Sequence, residues 1–182
     1  MPVRVINGLE ELRSLVGQQI GMSDWVAISQ ERIDEFARST GDQQWIHCDP
    51  ERAQRESPFG MTIAHGFLTL SLAPALAQQA FRVEGVRFIL NYGLNRVRFP
   101  NAVKAGLRVR MITHLQELKD VLGGVQATYK MTIEMEGERK PACVAELVMR
   151  MYFDDNPLDA MKQARASRRE ANEEPARDVS GS

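Results

Sequence analysis

The pattern of apolar and polar positions changes its period near the middle of the chain. After Val86, apolar residues alternate with polar ones in four segments, most regularly over residues 125–135 and again over 143–153, where every second residue is apolar. A period of two is typical of antiparallel strands that bury one face. Short turns that contain glycine, at 123–124 and 136–138, would join neighbouring strands. The second half of the chain therefore predicts an antiparallel meander.

The first half of the chain predicts helices. Residues 9–16 have the apolar spacing of a short helix. Ser29 is a favourable N-cap, and the helix that it would begin ends at 40–41, where a glycine follows a threonine. A third short helix is predicted over 50–55, because proline is well suited to the first helical position. Asp42 therefore leaves a helix directly into a loop.

Residues 66–81 include the longest apolar segment, which is apolar on nearly every side of a helical projection. A helix of that kind must be buried on all sides. A flat sheet covers only one side of it, so either the sheet curls around the helix or a second subunit covers the other side. Pro74 lacks the N–H that would bond to the Leu70 carbonyl, which predicts a kink or an early end of the helix. The combination predicts an α+β fold in a homodimer.

Composition and charge narrow the class of protein. The chain has 182 residues, is 43% hydrophobic and has a net charge of −1. This length suits one domain, placed at residues 1–154, and the mixed charge of 155–182 predicts a disordered tail. The balanced charge gives no reason to expect a nucleic acid or membrane partner, and no apolar run is long enough to cross a bilayer. Two cysteines without metal-site spacing and an N-terminus unlike a secretory signal favour the cytoplasm.

The segment 41–47 carries the first candidate chemistry. It places Asp42 and His47 five residues apart, with Trp45 and Ile46 as apolar shielding for the polar pair. A carboxylate and an imidazole can hold one water between them, which is the minimum equipment for adding water to an activated carbon–carbon bond. A simpler interpretation is a turn aspartate that bonds its own backbone and a structural histidine.

The tripeptide Ala64-His65-Gly66 precedes the apolar segment and could begin a helix. A backbone N–H at a helix N-terminus is suited to a developing oxyanion, and a residue without a β-carbon lets a carbonyl approach it. Alternatively, Gly66 only permits close helix packing. A metal site built from acidic and histidine side chains is a further alternative, without the spacing that zinc motifs use; its ligands would be Asp42, His47, Asp49 and His65.

Two longer motifs resemble a known family. Residues 36–47, followed by Asp49-Pro50, resemble the signature of the MaoC-like dehydratases, which include the (R)-specific enoyl-CoA hydratases. Together with residues 62–70 and Asn91-Tyr92-Gly93, the pattern is most similar to the nodulation-protein-N-like branch of that family. The resemblance extends over residues 9–153.

This resemblance implies a hot-dog fold, in which a curved antiparallel sheet wraps a long central helix, and a homodimer whose two sheets join. It implies a hydro-lyase of fatty acid metabolism that reversibly hydrates a trans-2-enoyl-CoA to an (R)-3-hydroxyacyl-CoA. Asp42 and His47 match the catalytic pair, and Gly66 matches the residue whose N–H polarises the thioester carbonyl. No metal or redox cofactor is implied. Further residues are expected to bind the acyl-CoA substrate: Gln44, Trp45, His65, Asn91 and Tyr92.

The chain also departs from the hydratase pattern. Gln44-Trp45 stands where hydratases of known activity usually carry Asn-Pro. This departure leaves the identity of the substrate open, but it does not affect the assignment of Asp42 and His47 as the catalytic pair. Two other functions therefore stay open, namely a hot-dog acyl-CoA thioesterase and a non-catalytic module that binds acyl-CoA or an acyl carrier.

Overall fold

The computed structural model describes residues 2–153, so the predicted tail at 155–182 lies outside the described residues. The described part has an α+β architecture, as predicted. Its elements in chain order are β1 (Arg4–Ile6), α1 (Gly8–Ser14), β2 (Gln19–Met22), β3 (Val26–Ala27), α2 (Gln30–Thr40), α3 (Trp45–Cys48), α4 (Pro50–Glu56), α5 (Gly66–Ser71), α6 (Ala73–Ala80), β4 (Phe81–Val83), β5 (Val86–Arg98), β6 (Arg108–Val121), β7 (Gly124–Met135) and β8 (Cys143–Phe153).

The main sheet is antiparallel, with strand order β2-β6-β7-β8-β5, and β3 also pairs with β6. Strands β6, β7 and β8 form the predicted meander. Val121 lies opposite Gly124 at one turn, and Ile133 lies opposite Cys143 near the other. A separate pair of short strands, β1 and β4, runs parallel. Helices α5 and α6 pack against the main sheet.

The alternating residues of the meander bury one face of the sheet, because successive side chains of a strand point to opposite sides. In β7 every second residue is buried, as the pattern predicts; these are Val125, Ala127, Tyr129, Met131, Ile133 and Met135. Gly21 of β2 lets α6 approach closely, since a β-carbon there would lie 2.9 Å from the Ala80 β-carbon. The core thus lies between the sheet and the two helices.

The helix ends follow the capping residues that the sequence predicts. The Ser29 hydroxyl accepts the Arg32 N–H at 3.3 Å at the start of α2, and Gly41 adopts a left-handed conformation at its end, with φ of 79°. The Asp49 carboxylate accepts the Arg52 N–H at 2.9 Å at the start of α4. The cap at Gly41 fixes where the loop that carries Asp42 begins, and the cap at Asp49 fixes where α4 begins.

The apolar segment is two helices rather than one long central helix. Helix α5 ends at Ser71, and α6 begins at Ala73 with Pro74 in its first turn. The missing proline N–H explains the break. Burial on all sides is not reached within one chain, because the Phe67 side chain is 69% exposed and Ala75 is also exposed. Within residues 2–153, no helix is long and apolar enough to cross a membrane.

Candidate active site

Three side chains from separate elements converge beside the start of α5. Asp42 follows the left-handed Gly41 that ends α2, His47 lies in α3, and His65 is the N-cap residue of α5. One ring nitrogen of each histidine and one carboxylate oxygen lie within 4.8 Å of one another. The structure therefore brings Asp42 and His47 together, and it adds His65 to them.

His47 is held in one tautomer. Its side chain is buried, with 8% exposed, and its Nδ1 lies 2.7 Å from the Ile63 carbonyl oxygen. A carbonyl oxygen only accepts hydrogen bonds, so Nδ1 carries the proton in the neutral ring. The lone pair of neutral His47 is therefore on Nε2, where it is available to accept a proton.

His65 connects the loop of Asp42 to the ring of His47. Its Nε2 donates to the main-chain oxygen of Asp42 at 2.9 Å, and its ring stacks on that of His47 with centroids 3.8 Å apart and planes 28° apart. Each imidazole lone pair lies in the plane of its own ring, so two stacked rings do not direct lone pairs at one ion about 2 Å away. The stack disfavours the metal alternative, and Asp49 is engaged as the cap of α4.

The Asp42 carboxylate is the accessible member of the cluster. Its side chain is 57% exposed, and its Oδ2 lies 3.9 Å from the His65 Nε2. The apolar shielding that the sequence predicts for both members of the pair therefore covers His47 but not Asp42 within one chain. Asp42 is positioned to accept a hydrogen bond from a molecule that arrives from solvent.

Burial lowers the pKa of His47 from its ordinary value of 6.5, and the adjacent His65 adds to this effect, while the bond to Ile63 and the charge of Asp42 oppose it. His47 is therefore neutral near pH 7. As pH falls below 6.5, the unfolded chain takes up the proton first, so this histidine makes the free energy of unfolding decrease with falling pH.

We expect an NMR titration to place the His47 midpoint below 6.5. We also expect the free energy of unfolding to decrease more steeply below that pH in the wild-type protein than in His47→Gln. Denaturant unfolding at a series of pH values measures the second effect. Equal slopes in the two proteins, or a His47 midpoint at or above the ordinary value, would contradict this account.

Gly66 begins α5, and the Thr69 N–H makes an early bond of that helix, to the His65 carbonyl at 3.1 Å. The N–H of a first helical residue has no acceptor within its own helix. A β-carbon on Gly66 would lie 3.0 Å from the Phe99 ring. Close packing, the simpler explanation for this glycine, is therefore present in the structure, and its role as a donor stays a prediction.

The other predicted binding residues fall in two groups. Gln44 is the exposed N-cap residue of α3, and Trp45 is half-buried under the Arg52 guanidinium, 4.4 Å from the ring centroid. These two lie between the catalytic candidates in sequence. Asn91 and Tyr92 lie on β5, where the Arg150 guanidinium covers the Tyr92 ring at 3.6 Å. The structure does not bring this second group into the cluster of Asp42.

Two mainly apolar clefts lie between β5 and the helices. The smaller cleft, of about 340 Å³, is lined by residues of the helical segment and of β5, including Leu70, Ser71, Ala73, Pro74, Asn91 and Tyr92. The larger, of about 630 Å³, is lined by Pro74 and Ala77 and by the meander floor of Tyr129, Met149 and Met151. Because Leu70 follows Gly66 by four positions within α5, the smaller cleft begins roughly 6 Å along that helix from Gly66.

Comparison with known proteins identifies the family. Residues 11–135 match the MaoC like domain family. The chain belongs to this family. It is 51% identical over 149 residues to 3-hydroxyacyl-thioester dehydratase Z of Mycobacterium tuberculosis, covering 81% of this chain and 98% of that protein. It is 45% identical over 150 residues to nodulation protein N of Rhizobium leguminosarum bv. viciae, covering 81% and 93%.

A solved structure agrees with this assignment at the level of the fold. The (R)-hydratase from A. caviae involved in PHA biosynthesis has 24% identity and a TM-score of 0.60, covering 74% of this chain and 94% of that one. The hot-dog fold and the MaoC-like family, with its nodulation-protein-N-like branch, are thereby confirmed as predicted. The predicted class of enzyme, a hydro-lyase, is confirmed by the family and by the dehydratase relative.

Sequence reasoning missed two polar residues behind the cluster, Gln30 and Thr62. The Thr62 hydroxyl donates to the Gln30 side-chain oxygen at 2.5 Å, and the Gln30 amide donates to the main-chain oxygen of His47 at 2.7 Å. Thr62 lies in the motif 62–70, but no local pattern predicts these bonds, since their partners are 32 and 17 positions apart in sequence. Their role emerges only when the chain is folded.

Proposed function

We propose that this MaoC-like dehydratase reversibly hydrates trans-2-enoyl-CoA thioesters to (R)-3-hydroxyacyl-CoA in the cytoplasm. The observation that carries the proposal is the convergence of Asp42 and His47 beside the first N–H of α5. Together they supply a group to orient water, a base to activate it and a donor for the thioester oxygen. The name of the 3-hydroxyacyl-thioester dehydratase and that of the structurally similar (R)-hydratase support the proposed reaction.

The proposed chemistry uses the neutral form of His47. Its Nε2 lone pair accepts a proton from a water that also donates a hydrogen bond to the Asp42 carboxylate. The water oxygen bonds to the β-carbon, and the electron pair of the double bond shifts towards the thioester oxygen, which the Gly66 N–H stabilises. The proton on His47 then returns to the α-carbon, so atoms and charge balance without a cofactor. Because burial lowers the His47 pKa, the charged ring gives up this proton readily.

The acyl chain is proposed to occupy the two clefts along the helices. The clefts share Pro74 and Asn91, and they lie in succession along the chain from Gly66. Their apolar floor suits a hydrocarbon chain, and the volume of the larger cleft suits short- to medium-chain substrates. In this arrangement Asn91 and Tyr92 contact the acyl chain rather than the reacting carbons.

Enlarging the side chain at Ala77 is expected to shorten the accepted acyl chain. Ala77→Phe should lower kcat/KM for trans-2-octenoyl-CoA at least about tenfold more than for crotonyl-CoA, because the new ring would fill the larger cleft. Steady-state kinetics on both substrates measure the ratio. Ala27→Phe, at an exposed position of β3, is the matched control. An unchanged ratio in Ala77→Phe would place the acyl chain elsewhere.

We propose a homodimer built on β5. This strand ends the main sheet, and its apolar side chains are exposed in one chain, including Ile89 and Leu90 at 48% each. A strand at a sheet edge offers unpaired backbone groups to a second strand, and contiguous exposed apolar side chains mark an interface. A second copy seated there would also cover the exposed side of the apolar helices, around Phe67.

The direct test mixes the purified protein with trans-2-enoyl-CoA of several chain lengths and follows the loss of conjugated absorbance. We expect turnover with (R)-3-hydroxyacyl-CoA as the product in chiral analysis. The same samples are assayed for free thiol, which a thioesterase would release, and for thermal stabilisation without turnover, which a binding module would show. Parallel assays with acyl-carrier thioesters identify the carrier. Absence of hydration at every chain length on either carrier would reject the proposal.

A further inference from the structure

Gln30 is the first residue of α2, and its side-chain amide makes three hydrogen bonds, which connect α2 to α3 and to the segment before α5. Its nitrogen donates to Asp34 Oδ1 at 2.8 Å and to the main-chain oxygen of His47 at 2.7 Å. Its oxygen accepts the Thr62 hydroxyl at 2.5 Å. Thr62 is buried, with 2% exposed, so its hydroxyl has a strong requirement for this acceptor.

These bonds belong to a closed hydrogen-bond network around His47. The main-chain oxygen of His47 is tied through Gln30 to Thr62, which directly precedes Ile63. The Ile63 carbonyl accepts the His47 Nδ1–H at 2.7 Å, and the Ile63 N–H donates to the Ile46 carbonyl at 3.1 Å. The backbone and the ring of His47 are therefore fixed to the same segment. A shift of Thr62 would move the carbonyl that sets the His47 tautomer.

We propose that Gln30 is a positioning residue for His47, which acts through Thr62 and Ile63 to keep the imidazole proton on Nδ1 and the lone pair on Nε2. The expected effect of Gln30 on turnover rests on the proposed function. The expected effect of Gln30 on the His47 tautomer is independent of any substrate. Gln30 touches neither water nor thioester in this scheme. Its contribution is the fixed orientation of the base, on which the rate depends steeply.

The substitution Gln30→Met tests the role with little change in side-chain volume. It removes the donor to His47 and the acceptor of Thr62 and leaves an apolar chain of similar length. We expect kcat for enoyl-CoA hydration to fall about tenfold with KM changed less than about twofold, because the base is misoriented while substrate contacts persist. Gln54→Ala, on an exposed face of α4, is the control and should match the wild type.

A second pair of variants separates positioning from folding. Thr62→Val removes the hydroxyl at nearly constant shape, whereas Thr62→Ser keeps it. We expect Thr62→Val to resemble Gln30→Met and Thr62→Ser to recover most of the activity. Rescue by serine would not occur if the position only filled space, because serine is smaller than valine. Equal losses in the valine and serine variants would therefore overturn the proposal.

The substrate-free readout is the tautomer of His47, measured by long-range nitrogen–proton NMR of the imidazole rings. The chain has only three histidines, so His65→Gln and His114→Gln suffice to assign the signals. We expect wild-type His47 to carry its proton on Nδ1 and Gln30→Met to show a mixture of tautomers. An unchanged tautomer in Gln30→Met overturns the proposal, and so does an unchanged kcat.

Failure of the proposed function would give a different result. If the wild-type protein hydrates no enoyl thioester, the proposed reaction fails, and the tautomer in Gln30→Met and Thr62→Val alone decides the role of Gln30. A mixture of tautomers there still supports the positioning role. A single tautomer there rejects it.

Discussion

Asp42→Asn and His47→Gln are each expected to lower kcat for enoyl-CoA hydration by about 10²–10⁴-fold, the range that a positioned acid or base contributes. The asparagine oxygen can accept the hydrogen bond from the water only as a weaker, uncharged acceptor, and the side chain lacks the charge that stabilises the imidazolium. Glutamine can still donate to the Ile63 carbonyl in place of the ring Nδ1–H, but it supplies no titratable lone pair. Steady-state kinetics of each variant against the wild type measure the loss.

Matched controls separate chemistry from structure. Asp49→Asn keeps the cap of α4, because asparagine caps a helix about as well as aspartate. His114→Gln changes a histidine on β6 that lies outside the cluster. Both controls should retain kcat within about twofold, which is small beside the loss from removing a positioned acid or base. A large loss in Asp49→Asn would revive the metal alternative, and full activity in Asp42→Asn would reject hydration by this pair.

The meander was predictable because β6 and β7 each bury one face, although β8 also buries Val148 and Tyr152 on its other face. In β7 the alternation of apolar and polar residues repeats without interruption, and the ends of β7 and β8 fall at glycine-containing turns or where apolar residues cease. Helix α2 was predictable for the same kind of reason, since Ser29 and Gly41 mark both of its ends. Local chemistry decides these elements, and the three-dimensional context agrees with it.

Other elements depend on partners far along the chain. Strands β1 and β4 have three residues each and pair from opposite ends of the first half, which leaves no periodic pattern to detect. Strand β5 is apolar on both faces over residues 88–90, so it does not alternate, and both faces are exposed in one chain. A strand that a second subunit would cover has this composition.

The candidate site also has one part that the local sequence predicts and one part that depends on residues far apart in the chain. The pair Asp42 and His47 was predictable because the two residues lie only five positions apart in sequence. The stacking of His65 on His47 and the bonds of Gln30 join α2, α3 and the segment before α5, which lie apart in sequence. The sequence placed His65 among the candidate site residues, but neither a histidine before a helix nor a glutamine after a cap indicates these particular contacts.

Leu90→Asp is expected to dissociate the proposed homodimer. Leu90 lies on the edge strand β5, and in a dimer built there the new carboxylate would be buried without a partner. An uncompensated buried charge costs about 3–5 kcal/mol, and each subunit would bury one, so the dimer Kd should rise by at least roughly two to four orders of magnitude. Sedimentation velocity over a range of protein concentrations measures this change. Leu122→Asp, in the turn between β6 and β7 where the leucine is 75% exposed, is the matched control and should leave the Kd unchanged.

Activity should follow the same equilibrium, because β5 lines both clefts in which the acyl chain is proposed to bind. In Leu90→Asp, the specific activity on medium-chain enoyl-CoA should be low in dilute enzyme and rise as the protein concentration approaches the new Kd. Crotonyl-CoA, whose short chain depends less on the clefts, should show a weaker dependence. A monomeric Leu90→Asp protein with full activity on both substrates would mean that one chain forms a complete site. A dimeric Leu90→Asp protein would mean that the subunits join through another surface.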